Sequence, residues 1–433
     1  MPTLRPCLVS PAARPPSSRP ALRRRPLLPA FLAAILLAGS VACATARPEA
    51  TAVVRLAHFS DYHSHALPRL AAGGGTEGGI ARAIAFLGPL AKDGTIVLSG
   101  GDMLSRGSPS WAERWGCADW PWWDGIVHAM AFGNHDADYG AEAFARCRAS
   151  VRFPILSANV VDEKGRPLLA PYAVFERSGV KVGVFAVAGP DFEGLLKEAT
   201  LPFPGARIAD RVAAAREAVR KLREEEKVAA VVLIGHEDHP ADVDLVSRVP
   251  GIDLVFGTHG HRLAPLERIP GTGAATISAG AYLASVGLVE LVFRGGRVVA
   301  VRGEVVPMAG LPEDAAVARR VARMQAELEA DPAYRQLFLP VATLPAPLGT
   351  EGGFSGDSPL GRFVTGVMRR ATGARVAFAN ASSLREPLPA GTIVEEQLRA
   401  ALPYPNGLLV YRVSGTRLLA LLEGSVALAG SDL

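Results

Sequence analysis

Short runs of apolar and β-branched residues recur along the chain from Thr51 onward, and longer segments with helical spacing separate several of them. The runs cover residues 53–59, 95–99, 129–132, 181–188, 229–234, 253–256 and 288–293. Segments with helical spacing include residues 79–92 and 209–227. Strands that alternate with helices are typical of a layered α/β domain. In such domains functional residues collect where strands end and loops begin.

A polar segment at residues 313–336 follows, and its alternating charges predict a helical connector with a solvated face. A second, smaller α/β unit begins near Ser355. Its pattern predicts helices at 359–371 and 394–400, strands at 375–379 and 408–413, and a last helical stretch at 417–422. We therefore expect a large domain at 51–310, a helical linker at 311–345 and a small domain at 346–433.

Composition and charge narrow the class of protein. Hydrophobic residues make up 49% of the 433 residues and charged residues 20%, which is ordinary for a folded globular chain and excludes a disordered or fibrous one. The formal charge of +4 is uneven, because residues 1–43 hold six of the 46 basic residues and none of the 42 acidic ones. The remainder carries a formal charge of −2, so nothing in the charge favours a nucleic-acid partner.

The first 43 residues are typical of a secretion signal. Three arginines at 23–25 precede an apolar run at 27–41, which is too short and too rich in small residues for a spanning helix. Ser40 and Ala42 fit the small-x-small rule for ordinary cleavage. Cys43 also resembles the lipidated cysteine of a bacterial lipoprotein box, although Ser40 departs from the leucine preferred there. We expect export to the periplasm or lipid anchoring to the envelope; a retained N-terminal anchor is the alternative.

Cysteine and tryptophan positions give two further expectations. Cys117 and Cys147 are the cysteines that remain beyond the signal, and in an oxidising compartment an even pair predicts a disulfide rather than two buried thiols. All five tryptophans lie between residues 111 and 123. Aromatic clusters pack more often than they bind, which favours a packed cap over a substrate-facing lid.

Five motifs with metal-ligating residues follow the predicted strands. They are Ser60-Asp61-Tyr62-His63, Ser99-Gly100-Gly101-Asp102, Gly133-Asn134-His135-Asp136-Ala137-Asp138, Ile234-Gly235-His236-Glu237 and Gly257-Thr258-His259-Gly260-His261. Borderline divalent metals accept imidazole and carboxylate together, and enough ligands are present for two ions. Five of the nine histidines lie in these motifs. The other four, His58, His65, His128 and His239, are interpreted as structural.

The order of these motifs resembles the calcineurin-like metallophosphoesterases and, more narrowly, the secreted bacterial 5′-nucleotidase and UDP-sugar hydrolase family. Residues 153–160, with the sequence Phe-Pro-Ile-Leu-Ser-Ala-Asn-Val, resemble the family's segment after its Asn-His motif. Ser358-Pro359-Leu360-Gly361, residues 380–385 (Asn-Ala-Ser-Ser-Leu-Arg) and residues 402–406 (Leu-Pro-Tyr-Pro-Asn) resemble its C-terminal nucleotide-binding domain. The resemblance implies a layered metallophosphoesterase β-sandwich flanked by helices, followed by a smaller α/β domain.

The resemblance implies seven ligands for two divalent ions. One ion is expected at Asp61, His63 and His261, the other at Asn134, His236 and His259, with Asp102 as the bridge. Mixed nitrogen and oxygen ligands admit Zn, Mn, Fe or Co. A hydroxide between the ions is the implied nucleophile, because the cations lower the pKa of bound water.

The resemblance also implies roles beside the ions. His135 is expected to contact the phosphoryl group rather than to bind metal, and Asp138 is expected to orient it through one ring nitrogen. Asp136 is assigned a structural role. In the C-terminal domain, Asn380 and Arg385 are the expected nucleotide-binding residues, since a guanidinium suits bidentate phosphate contact.

Two departures from the family affect the substrate. Ser382-Ser383 stands where the family has a glycine pair, and the family's C-terminal domain usually extends further, so we expect an incomplete domain at 346–433. The predicted activity is hydrolysis of nucleotide phosphate esters in nucleotide catabolism. Alternatives are a cyclic-nucleotide phosphodiesterase, a thiosulfohydrolase-like enzyme, or a metal-binding envelope protein with impaired turnover.

Overall fold

The computed structural model describes residues 51–427 apart from 72–74, 106–109, 190–191, 193–202, 204, 354 and 405. The expectations for the leader, including cleavage and lipidation at Cys43, lie outside the described residues. Within those residues, no helix combines the length and the apolar character that crossing a bilayer requires.

The first of two six-stranded sheets contains the strand that precedes Asp61. In spatial order its strands are Arg297–Pro307, Ser285–Arg294, Thr51–Phe59, Ile96–Ser99, Val127–Ala131 and Ile155–Leu156. The last four strands run parallel, whereas Ser285–Arg294 is antiparallel to both of its neighbours. The carboxyl ends of the four parallel strands therefore meet at one edge of the sheet.

The second sheet has the same arrangement of a parallel centre with antiparallel outer strands. Its spatial order is Leu263–Arg268, Ala275–Ala279, Leu254–Gly257, Ala230–Leu233, Val180–Phe185 and Tyr172–Arg177. The four central strands are parallel. The hydrophobic pattern did not predict strand Ala275–Ala279, nor the outer strands Tyr172–Arg177, Leu263–Arg268 and Arg297–Pro307.

The two sheets pack face to face, and helices cover their outer faces. Leu56 and Leu98 of the first sheet and Val184 and Phe256 of the second belong to one buried cluster between the sheets. Helices Ile80–Lys92, Ser110–Trp115, Gly140–Ala149 and Ala315–Ala330 cover the first sheet, and Arg211–Arg220 and His239–Arg248 cover the second. Strands buried on both faces produce continuous apolar runs, which explains why most of the inner strands are predictable. Strand Ala275–Ala279 is the exception, because Thr276 and Ser278 interrupt its apolar run. The predicted layered β-sandwich flanked by helices is confirmed.

Short elements complete this part of the chain. Two-residue strands lie at Arg69–Leu70, Thr76–Glu77, Val160–Val161 and Arg207–Ile208. Single helical turns lie at Trp120–Trp123, His135–Ala137, Lys221–Glu225 and Arg335–Phe338. The connector helix Ala315–Ala330 begins at the cap Asp314, whose side chain accepts two backbone N–H bonds, and it buries Val321, Met324 and Leu328. It is thus packed along one face as well as solvated along the other.

The C-terminal region is smaller and only partly agrees with its hydrophobic pattern. It contains strands Pro340–Leu344 and Gly391–Val394, helices Pro359–Thr372, Glu395–Ala401 and Gly415–Ala427, and the turn Ala381–Ser383. Its buried core is Leu360, Leu388, Ile393 and Ala401. The strands predicted at 375–379 and 408–413 are wrong, because neither segment has a ladder partner among the described residues. Leu409 is 77% exposed, so the apolar residues at 408–413 do not form a buried strand.

Cys117 and Cys147 form the predicted disulfide, with Cα atoms 5.6 Å apart. The bond ties the tryptophan-rich segment to helix Gly140–Ala149. Trp111, Trp120 and Trp123 are fully buried in the cluster beneath this segment, which confirms the packed cap.

Replacing both cysteines by alanine is expected to lower the free energy of unfolding by roughly 3–4 kcal/mol, the loop-closure entropy of a loop of this length. The bond spans a sequence separation of 30 residues. Urea denaturation of the wild type and the double variant measures the difference, and dithiothreitol should shift the midpoint of the wild type only. Equal midpoints for the two proteins under oxidising conditions would contradict the stabilising role.

Candidate metal centre

The seven predicted ligands lie just beyond the carboxyl ends of five parallel strands. Asp61 and His63 follow strand Thr51–Phe59, and His259 and His261 follow Leu254–Gly257. The others each follow one strand: Asp102 follows Ile96–Ser99, Asn134 follows Val127–Ala131, and His236 follows Ala230–Leu233. The face-to-face packing of the sheets brings these ends together.

Asp61, His63 and His261 form one compact group of metal-ligating atoms. The Nε2 atoms of His63 and His261 are 3.0 Å apart. Asp61 Oδ1 lies 3.7 Å from His63 Nε2 and 3.5 Å from His261 Nε2, and it is buried without a hydrogen-bond partner. Three ligand atoms around one point match the first predicted ion.

Asp102, His236 and His259 form a second group. His236 Nε2 lies 3.1 Å from Asp102 Oδ2 and 3.2 Å from His259 Nδ1. The same Asp102 oxygen is 3.7 Å from His63 Nε2 in the first group. One carboxylate therefore reaches both groups, which is the geometry of a bridging ligand.

Hydrogen bonds fix which ring nitrogen faces the centre in two of these histidines. His63 Nδ1 donates to the carbonyl of Leu104 at 3.3 Å, and His236 Nδ1 donates to that of Gly100 at 2.8 Å. A carbonyl only accepts, so the ring proton sits on Nδ1 and the Nε2 lone pair points inward. Inward lone pairs and carboxylate oxygens at these distances fit divalent cations of the Zn, Mn, Fe or Co type.

The loop that carries Asn134 is held beside the second group. The side-chain oxygen of Asn134 is buried without a hydrogen-bond partner. The backbone N–H of the next residue, His135, donates to Asp102 Oδ1 at 2.8 Å. A Cβ atom on the preceding residue, Gly133, would collide with the Asp102 carboxylate, which explains the glycine in this motif.

Neighbouring charges favour an ionised Asp102, and burial favours a neutral His63. Burial opposes ionisation of Asp102, yet the imidazoles of His236 and His135 outweigh it and hold the pKa of Asp102 well below its usual range. Burial lowers the pKa of the His63 imidazole in spite of the nearby carboxylates. An anionic Asp102 and a neutral His63 are the states that bind metal. Burial lowers the pKa of His236, but the Asp102 carboxylate outweighs it and raises that pKa to about 10, so a metal ion bound there displaces a proton.

Backbone strain is concentrated at this site. Ten described non-glycine residues have φ between +48° and +60°. Eight of them lie in these loops: Asp61, His63, Ser64, Asp102, His259, His261, Tyr282 and Leu283. Each left-handed residue costs about 1–3 kcal/mol and persists only where the surroundings hold it. Strain at five of the seven predicted ligands supports a functional origin for these loops.

Asp136 holds two ligand loops together. Its carboxylate accepts backbone N–H bonds from Met103 at 2.8 Å, Gly133 at 2.8 Å and Asp102 at 3.2 Å. These bonds fix the loop of Asp102 against the loop of Asn134, in agreement with the structural role assigned from the sequence.

His135 lies beside the centre and is oriented by Asp138. His135 Nδ1 is 2.7 Å from Asp138 Oδ2, which leaves Nε2 to face other groups. Burial lowers the pKa of His135, but the charges of Asp102 and Asp138 outweigh this effect and raise the pKa to about 9. His135 also clusters with His63 and Asp102 within ligand distance of one another, so a role as ligand needs a direct test.

Arg385 of the C-terminal region reaches the centre, whereas Asn380 lies on the wall of a neighbouring cavity. Arg385 Nη1 is 2.9 Å from His261 Nδ1, and its Nη2 donates to the hydroxyl of Tyr404 at 2.6 Å. Asn380 is exposed and lines a cavity of about 490 Å³ that Tyr404 and Phe378 also line. The two predicted nucleotide-binding residues therefore lie on different surfaces that meet at Tyr404.

Tyr282 is the main residue that the sequence reasoning missed. Its ring lies 5.1 Å from that of His261 and 5.7 Å from that of His63, and its N–H donates to the carbonyl of Asp61. It follows strand Ala275–Ala279, which ends at the same edge as the ligand strands. Recognition of that strand would have pointed to this position.

The histidines interpreted as structural divide into two kinds. Burial lowers the pKa of His58 to about 3, and its ring stacks on Phe256 at 4.5 Å, as expected of a core residue. His128 accepts a bond from the backbone of Val97. His65 differs, because it lies 3.4 Å from Glu386 of the C-terminal region.

Comparison with protein families gives two matches along the chain. Residues 54–263 match the family described as calcineurin-like phosphoesterase. Residues 340–432 match the family described as 5′-nucleotidase, C-terminal domain.

Relatives of similar sequence include nucleotide phosphoesterases. The chain is 24% identical over 450 residues to the 5′-nucleotidase of Vibrio cholerae, covering 91% of this chain and 80% of that protein. It is 27% identical over 376 residues to the trifunctional nucleotide phosphoesterase protein YfkN of Bacillus subtilis, covering 76% of this chain and 25% of that protein. The chain thus spans a quarter of the Bacillus protein but most of the Vibrio one.

Solved structures of similar fold include two from Thermus thermophilus. The 5′-nucleotidase precursor superposes with a TM-score of 0.69 at 26% identity, covering 88% of this chain and 80% of that one. The sulfate thiohydrolase SoxB superposes with a TM-score of 0.67 at 21% identity, covering 81% and 74%. The second likeness is one of fold alone.

Proposed function

Because the chain belongs to the calcineurin-like phosphoesterases and continues into a 5′-nucleotidase C-terminal domain, we propose that it is a metal-dependent hydrolase of nucleotide phosphate esters. The strongest support is a pair of neighbouring groups of metal-ligating side chains that share the Asp102 carboxylate. The first group is Asp61, His63 and His261, and the second is Asp102, His236 and His259. Their carboxylate and imidazole ligand atoms have the chemistry that two divalent ions require.

We assign the metal ligands as the sequence predicts them. One ion is held by Asp61, His63 and His261, and the other by Asn134, His236 and His259 with Asp102 between them. When bound, such ions supply the Lewis-acid chemistry of phosphate ester hydrolysis. The hydrogen bonds from His63 and His236 to backbone carbonyls orient the rings before any ion arrives, which lowers the cost of assembling the site.

His135 is proposed to act on the phosphoryl group directly, and Asp138 is proposed to orient it. Asp138 holds the Nδ1 proton of His135 through the 2.7 Å contact, so Nε2 can donate to a phosphoryl oxygen. A donor placed where negative charge develops stabilises the transition state more than the bound ester. Asp138 acts through His135 and is therefore a positioning residue.

Arg385 and Asn380 are proposed to bind the nucleotide. The Arg385 guanidinium at the edge of the centre can contact a phosphate through two nitrogens. Asn380 lines the cavity of about 490 Å³ together with Phe363 and Tyr404. The size of this cavity and its aromatic walls suit a nucleoside. The domain division at 51–310, 311–345 and 346–433 stays a prediction.

We further propose that the protein is exported and acts on small phosphate esters outside the cytoplasm. The predicted signal supports export, and the Cys117–Cys147 disulfide is typical of an oxidising compartment. Membrane attachment through a lipidated Cys43 is the finer form of this proposal.

Metal analysis together with a substrate panel tests the proposed function. We expect about two divalent ions per purified chain, with hydrolysis of AMP faster than that of UDP-glucose, 2′,3′-cyclic AMP or an aryl phosphate. Chelation should abolish turnover, and re-addition of Zn²⁺, Mn²⁺, Fe²⁺ or Co²⁺ should identify the working ion. Preferred hydrolysis of the cyclic ester would favour a phosphodiesterase. Bound metal without turnover of any ester would favour the non-catalytic envelope protein.

A further inference from the structure

Charged side chains join the C-terminal domain to the loop that carries His63. The Glu386 carboxylate accepts a bond from Arg69 Nη1 at 3.1 Å and lies 3.4 Å from His65 Nε2. Only 10% of the Glu386 side chain is exposed, and 23% of that of Arg69. Charges buried to this degree require partners, and removal of one partner leaves the other uncompensated.

The same network reaches Arg385 through Tyr282. The Arg69 guanidinium lies 4.7 Å above the centre of the Tyr282 ring. Burial raises the pKa of Tyr282 and the nearby Arg385 guanidinium opposes that shift, so the two side chains are close enough to interact electrostatically. Arg385 is the chain neighbour of Glu386, so its position at the metal centre is fixed from two directions.

Apolar packing does not fix this junction by itself. A cavity of about 240 Å³ lies between the loop at 64–70 and the C-terminal domain, with Leu67 and Pro387 among its lining residues. Atoms that line a cavity lack dispersion contacts on one side. Directional polar contacts therefore contribute more to the position of the C-terminal domain against this loop. A further polar contact to the C-terminal domain runs from the backbone N–H of Ser110 to the Glu396 carboxylate at 2.7 Å.

We propose that Glu386 and Arg69 are positioning residues whose ion pair holds the C-terminal domain so that Arg385 reaches the metal centre. The inference rests on the proposed function, in which Arg385 binds the nucleotide phosphate. The pair does not contact the reacting atoms, and it acts on substrate binding through the placement of Arg385. Nucleotide binding is therefore coupled to an ion pair that contacts neither the metal ligands nor the substrate.

Kinetics of the metal-loaded, full-length chain give the first test. Glu386→Gln should raise KM for AMP about tenfold while kcat changes less, because a misplaced Arg385 weakens binding of the ground state and the transition state together. Glu77→Gln is the matched control. Glu77 is the other acidic partner of Arg69, at 2.8 Å, and it lies within the catalytic domain. That variant should leave KM near the wild-type value.

A double-mutant cycle separates the ion pair from general damage. Arg69→Met and Glu386→Gln should each raise KM, and the double variant should raise it little more than either one, because both remove the same interaction. Fully additive effects would show that the two residues act independently and would overturn the proposal.

Hydrogen–deuterium exchange gives a readout that does not depend on turnover. In Glu386→Gln, amides at 64–70 and 381–402 should exchange faster, with the central strands unchanged. In Glu77→Gln, amides at 381–402 should match the wild type. Unchanged exchange at 381–402 in Glu386→Gln would overturn the positioning role. If the wild-type protein does not hydrolyse AMP, the proposed function is wrong. The exchange experiment would still show whether the Arg69–Glu386 pair holds the C-terminal domain in place.

Discussion

Asp102→Asn is expected to lower kcat/KM for AMP by about 10³-fold and to leave fewer than two ions per chain. The substitution is nearly isosteric, so the acceptor for the His135 N–H and the packing against Gly133 are retained. The substitution removes the negative charge that faces both ligand groups. Asp102 Oδ2 lies 3.1 Å from His236 Nε2 and 3.7 Å from His63 Nε2. An amide oxygen is a weaker bridge between two cations than a carboxylate.

The measurement combines steady-state kinetics with elemental analysis of the same preparation, so that metal loss and rate loss are read together. Asp162→Asn is a suitable control, because Asp162 forms a local ion pair with Arg166 on a surface turn. That variant should keep full activity and full metal content. If Asp102→Asn retains both ions and most of its activity, Asp102 is not the bridge and the two groups act separately.

The positions of the candidate ligands could be predicted from the sequence because each lies within a few residues of the strand that places it. Asp61 and His63 follow an apolar run directly, and the same is true of His236. An apolar run followed by polar ligand residues can be recognised without any knowledge of the fold. The sheet packing then only has to bring the strand ends together, which a layered α/β fold does by its architecture.

Contacts between distant segments could not be predicted in this way. The Arg69–Glu386 pair is separated by 317 residues, and neither residue belongs to a motif with a chemical pattern of its own. Tyr282 was not predicted for a related reason, because the strand that precedes it, Ala275–Ala279, was not recognised from the sequence. Its left-handed backbone, with φ of +60°, is visible only in three dimensions.

The C-terminal errors have a different physical cause. Residues 408–413 carry the apolar, β-branched composition of a strand, but a strand exists only where a neighbour completes its hydrogen bonds. Tyr411 is 74% exposed, so the segment lacks such a neighbour within the described residues. Helix Pro359–Thr372 was predictable because its hydrogen bonds are internal and its start is marked by the Ser358 cap.

His135→Ala is expected to lower kcat for AMP by about 10²–10⁴-fold while both ions stay bound. The reason is that His135 faces Asp138 with Nδ1, leaving Nε2 to donate to the phosphoryl group, whereas the two ligand groups are complete without it. Asp138→Asn should cost less, because the imidazole remains and only its orientation and charge are weakened.

Metal content decides between the two roles of His135, since it also lies within ligand distance of His63 and Asp102. His128→Ala is the matched control, because His128 is on the strand that leads to the same loop but its ring contacts Phe175 and accepts a backbone bond from Val97, away from the ligand groups. It should keep both ions and nearly all activity. Equal losses of metal and kcat in His135→Ala would make His135 a ligand and leave the phosphoryl group without its proposed donor. Retained metal with a collapsed kcat would place the loss in the transition state, where a donor from His135 acts.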